Sequence, residues 1–212
     1  MDSIFSIGIQ SLWDELRHMP VGGVCWINTY RNEDAISLVN QTIAAQGKDS
    51  RVAIITMGDE PKSIIRLDSN RGPQTVRLFS MPAEADSLYF LPRDIQCSIV
   101  PEHYLLVLKC SNNGLQNIPS EKLLKWLERI NRWAKNQNCT LLVVNPGSNN
   151  DKLFSLLMSE YRSLYGLASI RVQTDSHLYD VAFWCNEKGV SSRQQLTLKN
   201  VGDEWHLAQQ EE

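Results

Sequence analysis

Short apolar runs alternate with longer stretches of helical periodicity through the first three-quarters of the chain. GGVCWIN (22–28) has the unbroken hydrophobicity of a buried strand. NEDAISLVNQTIAAQG (32–47) then carries apolar residues at helical spacing, with Asn32 as its expected N-cap and Gly47 as its expected C-cap. RVAIITM (51–57) predicts a second strand, residues 60–67 a short helix, and TVRLFS (75–80) a third strand. AEADSLYFLPRDI (83–95) suggests a helix broken near Pro92, and YLLVLKC (104–110) is a run suited to the middle of a parallel sheet. PSEKLLKWLERINRWAKNQN (119–138) is the clearest helix, followed by a buried strand, TLLVVNPG (140–147), and a helix over 150–166.

From about residue 167 the character changes. ASIRVQTDS, HLYDVAFWCNEKG, QQLTLKN and EWHLAQQ read as strands joined by the turn-like TDS, NEKG and NVGD, which predicts hairpins. With no linker composition or internal repeat, one domain spanning 1–212 is expected. Its α/β part covers about 1–166 and its hairpin-rich part about 167–209. A β-α-β run followed by antiparallel strands predicts an α/β layered sheet, parallel in the centre and antiparallel at one side. The RecA-like (P-loop NTPase-like) architecture has this order of parts.

That expectation makes the first strand–helix connection the place to look for chemistry. A working P-loop, G-x-x-x-x-G-K-[ST], curls glycine-rich backbone so that several N–H groups face a phosphate, with a lysine and a magnesium-binding hydroxyl alongside. Here only Thr29, Tyr30 and Arg31 separate the strand from Asn32. The turn has no glycine, and Glu33 and Asp34 follow in the first helical turn. There they stabilise the helix and repel an anion that would use the same positive end. The acid expected at the end of a buried strand to orient magnesium is also missing, since YLLVLKC carries Lys109 there. Lys109 stands either in that acid's position or at the surface, leaving the sheet. Residues Thr29, Tyr30, Arg31 and Asn32 thus read as a vestigial phosphate turn, and no catalytic residue, cofactor or metal is expected.

Other constellations are weaker. QGKDS (46–50) contains a Gly-Lys pair but closes a helix instead of opening one. NPGSNND (145–151) lies between strand and helix, where backbone N–H groups could hold an anion or Asn149 or Asn150 could simply cap the helix. RNED (31–34) fits the R-x-x-D pattern of degenerate cyclase domains. The alternative to a dead site is therefore a sensor that binds a nucleotide or cyclic dinucleotide without hydrolysing it, through Arg31, Asp34 and Asn149. On the 119–138 helix, Lys122, Lys125, Arg129 and Arg132 form a basic edge that a membrane surface or anionic partner could use. The pairs Glu121–Lys125 and Glu128–Arg132, in the favourable order, favour a solvated, salt-bridged face.

Composition narrows the rest. The 212 residues are 42% hydrophobic and 21% charged, with net charge −3, which argues against nonspecific nucleic-acid binding. The start MDSIFSIGIQSLWDEL has no positively charged region, carries Asp2 and lacks a long apolar stretch, unlike a secretory signal, and no window is apolar enough to span a bilayer. The five cysteines include no CxxC pair and stand apart from the four histidines, so reduced thiols in a cytoplasmic protein are expected and zinc is not. No serine or cysteine sits in a nucleophile elbow.

Three longer stretches carry a resemblance: FSIGIQSLWDELRHMPVGGVCWIN, LLVVNPGSNNDKLFSLLMSEYRSLYGLASI and VAFWCNEKGVSSRQQL. They are similar to the N-terminal part of the BcsE family, cytosolic regulators of enterobacterial cellulose secretion, and the similarity extends across essentially the whole chain. The resemblance implies a degenerate, catalytically dead RecA-like module that dimerises and recruits the regulator to the inner membrane through the small membrane protein BcsF. BcsR, BcsQ and the synthase BcsA are the implied neighbours, and membrane contact is implied only through partners. The family's cyclic di-GMP site is an R-x-G-D motif in a later cyclase-like domain, beyond a receiver-like one. No R-x-G-D occurs in this chain, so that role attaches to no residue here.

Overall fold

In the computed structural model, residues 24–29, 31–58, 72–73, 75–82, 104–110, 118–137, 139–146, 166–172, 178–187, 190–201 and 204–207 are described. The helices expected at 60–67, 83–95 and 150–166 fall wholly or almost wholly outside them. The strands are β1 (Val24–Thr29), β2 (Arg51–Met57), β3 (Thr75–Met81), β4 (Tyr104–Cys110), β5 (Cys139–Pro146), β6 (Gly166–Val172), β7 (Leu178–Glu187), β8 (Val190–Val201) and β9 (Glu204–Leu207). Two helices are described, α1 (Asn32–Ala44) and α2 (Ser120–Asn136).

All nine strands join one sheet in the order β3-β2-β4-β5-β1-β6-β7-β8-β9. Pairing is parallel from β3 to β6 and antiparallel from β6 to β9, as the change of character near residue 167 predicts. The central strands are buried on both sides, which accounts for their near-continuous apolar sequences. Alternation along each strand divides their side chains between two faces. Trp26, Ala53, Ile55, Leu106, Leu108, Leu141 and Val143 pack beneath Leu123, Trp126, Leu127, Ile130 and Ala134 of α2. The alternate positions, among them Ile27, Ile54, Val107 and Val144, are buried on the side of α1, which packs against β1, β4 and β5.

Cys25, Cys110 and Cys139 are buried free thiols, matching the expectation for those three. Burial pushes the Cys139 thiol up to about 12, which keeps it protonated and unreactive at neutral pH.

Two local expectations need correction. Gly47 does not cap α1: the helix ends at Ala44, its C-cap is Ala45 in the right-handed region, and Gln46 N–H closes a tight turn onto Ile43 O at 3.0 Å. The Gln46 side chain also donates to Thr42 O, so the end is tied off without a left-handed residue. A glycine does matter nearby. Gly72, at φ 90°, passes so close that a Cβ would stand 3.1 Å from Ile43 O. Second, the N-cap position of α1 is Arg31 rather than Asn32, whose side chain is engaged elsewhere. QQLTLKN lies in β8, whose Leu198–Val201 pairs with β9. Val190–Thr197, by contrast, has a strand partner only on the β7 side among the described residues.

The antiparallel end of the sheet reaches back to α1. Gln41 receives the Trp205 N–H at 2.9 Å and donates to Trp205 O at 3.3 Å, so its amide extends β9 as a further strand would. The buried Trp205 indole N–H donates to Ser37 Oγ at 3.1 Å. Replacing Trp205→Ala removes a large buried side chain and this hydrogen bond, and should cost about 3–5 kcal/mol in urea unfolding. Gln41→Ala, which keeps the ring, should cost about 1–3 kcal/mol. Equal stability of both variants with the parent would mean that β9 is not held on α1.

Candidate functional site

In open α/β sheets, ligands bind beyond the carboxyl ends of the parallel strands. At the centre of the sheet those ends are Thr29, Met57, Cys110 and Pro146. The register sets Thr56, Lys109, Val144 and Ile27 in one row, with Asn145 opposite Asn28 in the next. Polar groups cluster in this otherwise apolar region: Thr29, Asp34, Thr56, Lys109 and Asn145 are all buried.

β1 ends at Thr29 and α1 begins at Asn32, so the connection is two residues long. Thr29 Oγ1 donates to Arg31 O at 3.1 Å and tightens the bend. Eight residues of a P-loop cannot be accommodated in that length. Tyr30 and Asn149 lie outside the described residues.

Lys109 is not a surface residue. Its side chain is 0% exposed, and Nζ donates to Asn32 Oδ1 at 2.6 Å. A cation of this chain therefore touches the first turn of α1, from the buried strand where a nucleotide hydrolase would place a magnesium-orienting acid. A buried ammonium needs oxygen partners to offset lost hydration, and Asn32 supplies one. Its side chain is accordingly unavailable as a backbone cap, and none is recorded at Arg31.

Arg31 and Asp34 come together, but with each other. Arg31 Nη2 donates to Asp34 Oδ1 at 3.2 Å and Nε to Oδ2 at 3.3 Å. Asp34 is buried while Arg31 is 47% exposed. Glu33 is exposed in the same turn. Two cations and two carboxylates thus lie on or beside the positive end of the helix, which is balanced from within the chain. The pair RNED offered as a ligand clamp is engaged internally.

On the opposite face, Asn145 Nδ2 donates to Asn28 Oδ1 at 2.9 Å. Sequence reading placed weight on Asn149 and missed this pair. The available signal was that two adjacent apolar strands, VCWIN and LLVVN, each end in asparagine. No cluster of three or more metal-ligating side chains occurs among the described residues.

The Lys109–Asn32 contact predicts an unequal pair of substitutions. Asn32→Ala withdraws an oxygen from a buried ammonium and should cost about 1–3 kcal/mol. Lys109→Met keeps most of the stem volume, removes the charge and should cost less. Chemical denaturation of both variants checks this, and the reverse ranking would contradict it.

Comparison with known proteins agrees with this geometry. RadB recombinase, a RecA-family protein, superposes with TM-score 0.66 at 12% identity, covering 97% of this chain and 100% of that one, so the fold is RecA-like. Across all 212 residues the chain is 58% identical to a protein of Escherichia coli K12 and 48% identical to one of Klebsiella pneumoniae, both named "Cyclic di-GMP binding protein BcsE". It spans 40% and 41% of their lengths. Residues 1–206 match the family model described as "Cellulose biosynthesis protein BcsE, N-terminal domain". A two-residue bend, an internally balanced helix end and this match coincide, and the chain belongs to the BcsE N-terminal domain family.

Proposed function

We propose that the chain is a non-catalytic dimerisation and docking module of a BcsE-type regulator of the bacterial cellulose synthase complex. The observation that carries the reading is the buried Lys109 ammonium at the first turn of α1, above a connection too short to wrap a phosphate. A RecA-like scaffold with that site closed retains a large rigid sheet and its edges. In this reading cyclic di-GMP, for which the relatives are named, binds the portion of the whole protein that these 212 residues do not include. The absence of R-x-G-D from the chain supports that division. The competing sensor reading loses support because Arg31 and Asp34 bind one another.

Docking uses backbone. β9 is four residues long and β8 twelve, so most of the outer edge of β8 has no described strand beside it. An extended peptide adds to such an edge through main-chain hydrogen bonds. The cytosolic tail of BcsF is the proposed occupant, delivering the regulator to inner-membrane machinery that includes BcsA, BcsR and BcsQ. Light scattering of the chain, alone and with a BcsF tail peptide, tests the proposal. It should give twice the 24.2 kDa of the single chain, with a further rise on adding peptide. A mass of one chain, unchanged by the peptide, would overturn it.

A further inference from the structure

We propose that the outer edge of β3 is the seam along which two copies of this chain pair, a placement that rests on the dimer reading above. Leu78 of each copy then lies on the twofold axis. β3 is the outermost strand at the parallel end of the sheet. Among the described residues it has a strand partner only on the β2 side. Its neighbour β2 is buried from Val52 to Met57, whereas β3 is fully buried only at Met81. Leu78, 40% exposed, is one of two large hydrophobic side chains that stand exposed among the described residues.

The direction of the main chain decides which groups this edge offers. Phe79 O receives the Thr56 hydroxyl and Met81 O receives the Gly58 N–H, so both carbonyls point to the β2 side. Successive residues of a strand turn their N–H and C=O groups to opposite sides. Val76, Leu78 and Ser80 therefore present theirs to the outer edge. Sheets protect such edges with prolines, lysines or bulges. Residues 75–81 contain neither proline nor lysine, and their pairing with β2 runs without a bulge.

The partner follows from how well this strand fits itself. An antiparallel pair centred on Leu78 sets each Leu78 opposite the other, each Val76 opposite a Ser80 and each Arg77 opposite a Phe79. Every outward N–H and C=O then finds its complement across the axis. The Leu78 side chains meet on one face of the joined sheet, and on the other each Arg77 lies against an aromatic ring. Neighbouring registers do worse. Centring on Arg77 opposes two like charges at the closest side-chain spacing. Centring on Phe79 or Ser80 sets Val76 or Leu78 opposite Pro82, which has no N–H to give. Centring on Val76 sets Leu78 opposite residue 74, before the strand begins. The Leu78-centred pair is isologous and uses up both β3 edges, so it stops at two copies. It leaves the β8 edges at the two far ends, and one dimer presents both of them.

Light scattering of the intact chain and of its Leu78→Glu and Leu78→Lys variants tests the seam. The parent should have twice the 24.2 kDa of one chain. Either variant sets like charges against each other on the axis and should weaken association about a hundredfold, giving the mass of one chain. An equimolar mixture of the two variants opposes unlike charges and should return to the mass of two chains, which misfolded variants would not do. Val201→Lys, at the other exposed hydrophobic position, should stay dimeric. Independently, Leu78→Cys should form a disulfide between copies under mild oxidation, because the opposed Cα atoms stand about 5.5 Å apart. A dimeric parent whose Leu78→Glu and Leu78→Lys variants are also dimeric overturns the seam and leaves the dimer reading standing. A parent with the mass of one chain overturns both. A mixture that stays monomeric, or a Leu78→Cys variant that cross-links no more than the parent, removes Leu78 from the axis and overturns the proposal. Loss of BcsF tail peptide binding in Leu78→Glu, with the dimer intact, overturns it in favour of a peptide on this edge.

Discussion

A lysine ammonium wholly withdrawn from water must find oxygen, and Lys109 finds it on Asn32, at the first residue of the helix that follows the first strand. Much of the site follows from that contact. The asparagine oxygen is drawn to strand β4 and is lost as a cap, and Arg31 takes the N-cap position. Arg31 in turn holds Asp34, so the first turn of α1 carries its own compensating charges. A helix N-terminus attracts anions because its amides and dipole are exposed to them. This one has been supplied from within, and the bend leading to it leaves no room for a phosphate-wrapping loop.

The scaffold around that closed crevice is put to structural use at several points. Trp205 anchors the last described strand to α1 through its ring and its backbone, so the antiparallel extension and the parallel core are held as one body. The short β9 leaves most of the outer edge of β8 without a described strand. On the other side of the sheet, α2 buries one stripe and turns a basic stripe outward. In the reading proposed above, ligand chemistry has receded from the strand ends and partners are met at the sheet edge instead.

Much of this was legible before any coordinates. Strands such as YLLVLKC and RVAIITM announce themselves because a strand buried on both faces has no polar positions to alternate with. The change to hairpins near residue 167 was equally plain, and so was the shortness of the Thr29–Asn32 connection. Contacts between distant residues were not. Whether Lys109 pointed inward depended on β4 lying between β2 and β5, and Asn32 lies 77 positions away. The Gln41–Trp205 contact spans 164 positions and leaves no periodic trace. Helix ends misled for a local reason: Asn32 and Gly47 have the right residue types for caps, but a tertiary partner claimed one and a tight turn by Gln46 replaced the other.

The central claim is that the chain's own groups fill the place a nucleotide phosphate would need. Isothermal titration calorimetry of the chain with ATP and magnesium tests it most directly. The account predicts heats of dilution only, with no saturable binding. A saturable isotherm of micromolar affinity, lost in Lys109→Met, would show that the crevice still takes a polyphosphate and would contradict it.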